Sequence, residues 1–145
     1  MALGKVLSST AKVEVNTAYP AGPVWATVGG LLTVTRDSAD QREDTGGLSD
    51  QVAHVKTDTM PRWVARAFLL ADPDVPGARD PAQHFLSDLS AALYSASIGQ
   101  VRITPAGCPR LTFLCTVDVQ DPADDIDGYV TWQATFFPAS VPIEG

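Results

Sequence analysis

Alternation of apolar and polar residues along short segments constrains the fold of this chain more than any other feature of its sequence. In two long segments every second residue is apolar. These residues are Leu111, Phe113, Cys115, Val117 and Val119 in one segment and Val130, Trp132, Ala134 and Phe136 in the other. A period of two places apolar side chains on one face of a half-buried strand. The pattern therefore predicts strands over about residues 111–119 and 129–137.

Shorter segments with the same β-rich composition predict further strands. They cover residues 12–16, 24–28, 31–36, 52–58, 62–70 and 101–104. Proline and glycine at residues 19–23 are typical of a turn, and Gly29 with Gly30 predicts a turn or bulge. The chain is therefore predicted to be mainly β.

One segment predicts a helix. Asp80 is a good N-cap, Pro81 suits the first helical position, and Gln83 lies three residues after the cap. Apolar residues at spacings of three and four then form one stripe: Phe85, Leu86, Leu89, Ala92, Leu93 and Ala96. Gly99 is placed to end the helix. We predict a helix over about residues 80–97.

These elements predict an α+β, mainly β fold, in which a β-sandwich or barrel is covered by a single helix. A length of 145 residues suits one domain, and we assign residues 1–145 to it. Residues 138–145 are expected to form a short C-terminal tail after the last strand.

Two segments lack an apolar pattern. The first is an N-terminal arm over residues 1–11, with Leu3, Lys5, Val6 and Leu7. The second is a polar loop over residues 37–50, with Asp37, Asp40, Arg42, Glu43, Asp44, Gly46, Gly47 and Asp50. Loops longer than about 12 residues are usually functional or disordered. Two hypotheses follow: a floppy loop with a frayed terminus, or segments that neighbouring copies of the chain bring into order.

The charge of the chain limits its partners. The net charge is −7. An acidic chain is not expected to bind nucleic acid tightly, because binding to duplex DNA depends on basic side chains. It is compatible with enclosing DNA without adhering to it. The first residues lack a signal-peptide core, and no apolar segment approaches the roughly 18 residues of a membrane helix. We expect synthesis in the cytoplasm and no membrane partner.

The sequence offers little catalytic chemistry. His54 and His84 have no evident nucleophile, and neither a Gly-x-Ser-x-Gly motif nor a phosphate-binding glycine loop is present. The strongest metal candidate is the carboxylate group Asp121, Asp124, Asp125 and Asp127, and a looser one is Asp72, Asp74 and Asp80. Both lack the spacing of a calcium-binding loop, so solvated turns are favoured. We predict no enzymatic activity, no metal and no cofactor.

The two cysteines are interpreted as free thiols. Cys108 lies in a turn-like Gly-Cys-Pro sequence, whereas Cys115 belongs to a β-rich segment. Two cysteines do not make a disulfide framework. Cys115 is expected to be a small buried apolar residue.

The order of several motifs resembles the major tail (tail tube) proteins of long-tailed bacteriophages. The motifs are Val-Gly-Gly-Leu at residues 28–31, Asp-Pro-Ala-Gln at 80–83, a hairpin formed by 101–104 and 111–117, and Asp-Gly-Tyr-Val-Thr-Trp-Gln-Ala-Thr at 127–135. The resemblance covers roughly residues 12–137. The last motif and the start of the helix are its most specific parts.

This resemblance implies two packed, roughly orthogonal β-sheets flanked by one helix. It also implies that six subunits form a ring and that rings stack into a tube through which genomic DNA passes without specific binding. The arm and the polar loop would contact neighbouring subunits, and an acidic lumen would repel the DNA. Further expected partners are the tape measure, terminator and distal tail proteins. The expected location is the virion tail, after synthesis in the cytoplasm of a host bacterium.

Three alternatives stay open at this point. The first is another tail component of the same fold, such as a tail terminator. The second is a carbohydrate- or protein-binding β-sandwich module, which requires Trp25, Trp63 and Trp132 on one outer surface. The third is an enzyme that no sequence motif reveals.

Overall fold

The computed structural model describes residues 3–7, 10–37, 41–44, 54–58, 61–72, 74–75, 77–126 and 128–145. Its strands are β1 (Lys12–Asn16), β2 (Trp25–Thr27), β3 (Leu31–Asp37), β4 (Gln41–Asp44), β5 (His54–Asp58), β6 (Arg62–Phe68), β7 (Gly99–Thr104), β8 (Leu111–Ile126), β9 (Tyr129–Pro138) and β10 (Ile143–Glu144). Helix α1 spans Pro81–Ala91, and a short 3-10 helix spans Tyr94–Ser97.

The main sheet is antiparallel, with the strand order β2-β1-β7-β8-β9-β6-β3 and β10 paired with β8. The predicted α+β, mainly β class with one α-helix is confirmed. In place of two separate packed sheets, these strands form one continuous sheet. The reason lies in β8, which pairs with β7 through residues 111–115 and with β9 through residues 115–126. The sheet curves so that β1, the second strand from one end, approaches β3 at the other end.

The core lies between one face of this sheet and helix α1. It includes Val13 and Val15 of β1, Val101 and Ile103 of β7, Phe113, Cys115 and Val117 of β8, Trp132, Ala134 and Phe136 of β9, and Leu86 and Leu89 of α1. The predicted alternation in β8 and β9 is thus confirmed, except that Val130 stays partly exposed. Trp132 lies in the core, as its neighbours in the sequence indicated.

The helix begins as predicted but ends earlier. It stops at Ala91, because Ala92 is extended and Tyr94 adopts a positive φ of 56°. Leu93, which the predicted apolar stripe included, is 73% exposed. Gly99 does not end the helix. It lies in β7, where an added Cβ would stand 2.5 Å from Leu89 Cδ2, so glycine allows the helix to pack closely on the sheet.

The polar loop predicted over residues 37–50 contains regular structure. Asp37 is the last residue of β3, and Gln41–Asp44 pairs with His54–Asp58 as a two-stranded sheet separate from the main one. The remaining residues of the predicted loop lie outside the described part of the chain. Backbone hydrogen bonds pair the two strands of such a ribbon. Its first strand has a polar sequence, so the alternation of apolar residues that predicts a strand is missing there.

Two further boundaries differ from the sequence predictions. Strand β8 continues to Ile126 through the segment interpreted as a charged connection, and Ile143–Glu144 of the predicted tail pairs with residues 111–112 of β8. In both places the chain finds an adjacent strand to pair with, which a local pattern does not reveal. Within the described ranges, no helix is long or apolar enough to cross a membrane.

Candidate functional site

The predicted helix-start residues hold three parts of the fold together. Gln83 is fully buried. Its Oε1 accepts a hydrogen bond from the Leu70 N–H at 3.2 Å, and its Nε2 donates to the carbonyl oxygens of Gly29 at 3.1 Å and Phe68 at 2.8 Å. Gln83 with these three backbone groups is called the Gln83 clamp. It joins α1 to the end of β6 and to the turn before β3.

Asp80 completes the same junction. Its Oδ2 accepts from the backbone N–H of Gln83 at 3.2 Å, which caps the helix, and from that of Gly29 at 3.5 Å. An added Cβ at Gly29 would lie 2.7 Å from Leu70 Cδ1, and Gly30 has a φ of 68°. The positive φ therefore favours glycine at position 30, whereas a side chain at position 29 would require the Leu70 side chain to move. The Val-Gly-Gly-Leu and Asp-Pro-Ala-Gln motifs contact each other at this junction, and their role there is structural.

The N-terminal arm exposes its apolar side chains. Leu3 is 95% exposed, Leu7 72% and Val6 57%. Val6 lies against the turn after β7, where a Cβ added at Gly107 would stand 3.1 Å from Val6 Cγ2. Three large apolar side chains within five residues form an unusual concentration on the surface of a monomer, and such patches mark interaction sites.

A groove of about 630 Å³ opens beside this turn. Val34, Arg36, Pro61 and Trp63 line it from β3 and the start of β6, and Pro105, Cys108, Pro109, Leu111, Val141, Pro142 and Glu144 line it from the turn after β7, the start of β8 and the C-terminal residues. We call it the proline groove. Its lining is mainly apolar, with one basic and one acidic side chain on different elements. The indole Nε1 of Trp63 is buried and has no hydrogen-bond partner among the described residues.

The main sheet has free edges. β2 and β3 end the strand order, so each pairs with a single neighbour among the described strands. β2 offers three residues and β3 offers seven. A strand at an edge presents unpaired N–H and C=O groups that can pair with another chain. The seven-residue edge of β3 is the longer of these two surfaces.

The residues predicted in the polar loop are only partly described. Asp37 Oδ2 lies 3.2 Å from Arg62 Nη2, in an exposed ion pair of little energetic consequence. Arg42, Glu43 and Asp44 are paired by their backbones with β5. Asp40, Gly46, Gly47 and Asp50 lie outside the described residues. No described contact joins Asp37 to the arm or to the Gln83 clamp.

Other candidate chemistry finds little support in the described part of the chain. His84 Nε2 lies 3.4 Å from Asp88 Oδ2 one helical turn away, with both side chains exposed. His54 lies in β5, and Asp121, Asp124 and Asp125 lie in β8. Among the described residues, no group of three or more His, Cys, Asp or Glu side chains is placed to hold a metal ion.

The three tryptophans do not share an outer surface. Trp63 and Trp132 are buried. Trp25 is partly exposed and stacks on Arg102, with the guanidinium carbon 4.0 Å from the centre of the indole ring. The structure therefore lacks the exposed aromatic cluster that the ligand-binding alternative required of these residues.

One cluster of side chains was not predicted from the sequence. Arg102 of β7 pairs with Glu14 of β1, with both side chains less than a fifth exposed, and stacks on Trp25 of β2. The ion pair and the cation–π contact tie the three strands at one end of the sheet together. Opposite charges in two strands were the only sequence signal, and that signal becomes specific only when the strand pairing is known.

We expect the two cysteines to react differently with a thiol reagent. Burial raises the pKa of Cys115 to about 12, so its thiol stays protonated at pH 8, whereas Cys108 is exposed. The reagent should label one thiol in the folded protein and both after unfolding, as measured by mass spectrometry. Cys108→Ser should leave the folded protein unlabelled. Rapid labelling of Cys115 in the folded chain would contradict this prediction.

No protein-family model matches the sequence, and neither does any curated protein. Several chains of solved structures do match. One of them is described as the tail of an empty GTA (gene transfer agent) particle with C6 symmetry. The match has a TM-score of 0.67 at 9% sequence identity and covers 96% of this chain and 98% of that one. At this identity the comparison shows that the two chains share a fold.

Proposed function

We propose that the protein is a non-enzymatic structural subunit of a phage-like tail, which assembles into six-membered rings that stack into a tube around DNA. One observation carries the proposal: the fold matches a chain from a C6-symmetric tail over nearly the whole length of both chains. The proposed location is the virion tail.

The free edges of the main sheet support ring formation. β2 and β3 end the strand order on opposite sides. If an edge of one copy meets a different edge of the next, the contact is heterologous, and a suitable rotation closes it into a ring. Pairing between copies would also cover the exposed edges that otherwise favour aggregation.

The arm and the predicted loop region support contacts between rings. In this proposal Leu3, Lys5, Val6 and Leu7 contact a neighbouring subunit, as do residues 37–50. The exposure of three apolar arm side chains supports this role, because their burial against another copy would be favourable. Contacts along the tube axis join unlike surfaces, so stacking continues without closure.

The charge of the chain suits a conduit for DNA. Six copies, each with a net charge of −7, carry about −42 in total. The acidic residues that face the lumen would repel phosphates and let DNA pass without specific binding. The tape measure, terminator and distal tail proteins are proposed as the further partners of the tube.

Electron microscopy of concentrated protein tests the proposal. We expect six-membered rings and stacked tubes in negative stain, and a concentration-dependent shift to large species in sedimentation. Single rings that never stack would support a terminator or another ring component of the same fold instead. A protein that stays monomeric at high concentration would overturn the proposed function.

A further inference from the structure

We propose that the N-terminal arm of one copy binds in the proline groove of a second copy. The inference rests on the proposed function, because it identifies the surface that receives the arm when subunits assemble. Its elements are the arm residues 3–7 and the groove between β3 and the turn after β7. Neither the sequence pattern nor the comparison with the tail structure assigns this groove a role.

The apolar character of the two surfaces matches. Leu3, Val6 and Leu7 are exposed on the arm, whereas the groove is lined mainly by proline, valine, leucine and tryptophan side chains. Proline rings make a rigid apolar wall that loses little conformational freedom when another chain binds. An extended arm that enters the groove removes apolar surface of both partners from water.

The charges of the two surfaces determine how the arm lies. Lys5 is the only charged side chain among the described arm residues, and the groove carries Glu144 on β10 and Arg36 on β3. Attraction to Glu144 and repulsion from Arg36 favour one orientation, with Lys5 on the β10 side. The complementary charges thus determine the register of the arm in the groove, which apolar burial alone would not determine.

The position of the arm favours a second copy as the partner. Val6 lies against Gly107, in the same turn that supplies Pro105 and Cys108 to the groove, while Leu3 extends into solvent. The groove stays open although its own arm passes the rim. If the groove of each copy receives the arm of a different neighbour, the contact joins unlike surfaces, as a contact between stacked rings does.

Disulfide trapping between two differently tagged copies tests the contact directly. The first copy carries Leu3→Cys with Cys108→Ser, and the second, larger copy keeps Cys108 and its natural arm. With diamide as oxidant, we expect about tenfold more mixed dimer than in the control, because binding raises the local concentration of the paired thiols. The control copy carries Leu93→Cys with Cys108→Ser, which places an exposed thiol beyond the helix, at a position 73% exposed against 95% for Leu3. Cys115 is buried and takes no part.

Charge reversal gives an independent readout. Lys5→Glu and Glu144→Lys should each weaken assembly about fivefold, the range expected for an exposed ion pair that becomes a repulsion. The two changes combined in every copy should restore assembly. A mixed-dimer yield equal to that of the Leu93→Cys control, or no recovery in the combined variant, would overturn the inference while wild-type tubes leave the proposed function intact. Absence of wild-type rings and tubes would instead reject the proposed function itself.

Discussion

Replacing Gln83 with alanine should lower the free energy of unfolding by about 3–5 kcal/mol, because the change empties a fully buried position and removes the side-chain partners of three part-buried backbone groups. The affected groups are the carbonyls of Gly29 and Phe68 and the N–H of Leu70. Each unpaired group costs about 1–3 kcal/mol when water cannot reach it. The loss would be a large fraction of the stability of an ordinary domain.

Urea unfolding followed by tryptophan fluorescence measures this effect. Gln83→Met preserves most of the side-chain volume but makes no hydrogen bond, so it separates the lost bonds from the cavity that alanine leaves. The neighbouring exposed residue provides a matched control, since His84→Ala should change stability by less than about 0.5 kcal/mol. Full stability of Gln83→Met would show that the clamp bonds contribute little.

Strands with one buried face were predictable from the sequence because the pattern that defines them is local. β1, β8 and β9 alternate with a period of two, and their apolar sides form the core. The start of α1 was predictable for the same reason. The capping bond of Asp80 and the position of Pro81 involve backbone groups within one helical turn, so these two roles depend on neighbours in the sequence. The second bond of Asp80, to the N–H of Gly29, does not.

Long-range partners determine the features that the sequence did not show. Gln83 occupies a capping-box position, yet its side chain bonds to Gly29, 54 residues away, and to Phe68. Gly99 suggested a helix end but serves the close approach of Leu89. The continuity of the sheet follows from β8, which pairs with different neighbours along its length. None of these relations leaves a periodic signal in the chain.

The two parts of the candidate site also differ in whether the sequence predicts them. The arm was identifiable because residues 1–11 lack the apolar pattern of a strand or helix. The proline groove was not, because its lining comes from segments between residues 34 and 144 that only the fold brings together. A surface assembled from distant segments becomes visible when the strand order is known.

Deletion of residues 39–48 should leave a folded, soluble monomer that forms no tubes. The segment includes β4, which pairs with β5 in a sheet separate from the main one. A two-stranded ribbon is marginally stable by itself, so the eight-stranded sheet and its core should unfold with a free energy within about 1 kcal/mol of the original value. Circular dichroism and urea unfolding check the fold, and negative-stain microscopy checks the tubes.

A matched variant separates the length of this segment from its contacts. Replacement of residues 39–48 by ten glycine and serine residues preserves the span between β3 and β5 but removes the polar side chains and the pairing of β4. If residues 37–50 bridge neighbouring rings, the linker variant should fail to form tubes as the deletion does. Tubes from the linker variant alone would assign the segment a spacing role, and normal tubes from the deletion would reject its role in assembly. Because the arm stays intact in both variants, the contribution of the segment can be measured separately from that of the arm.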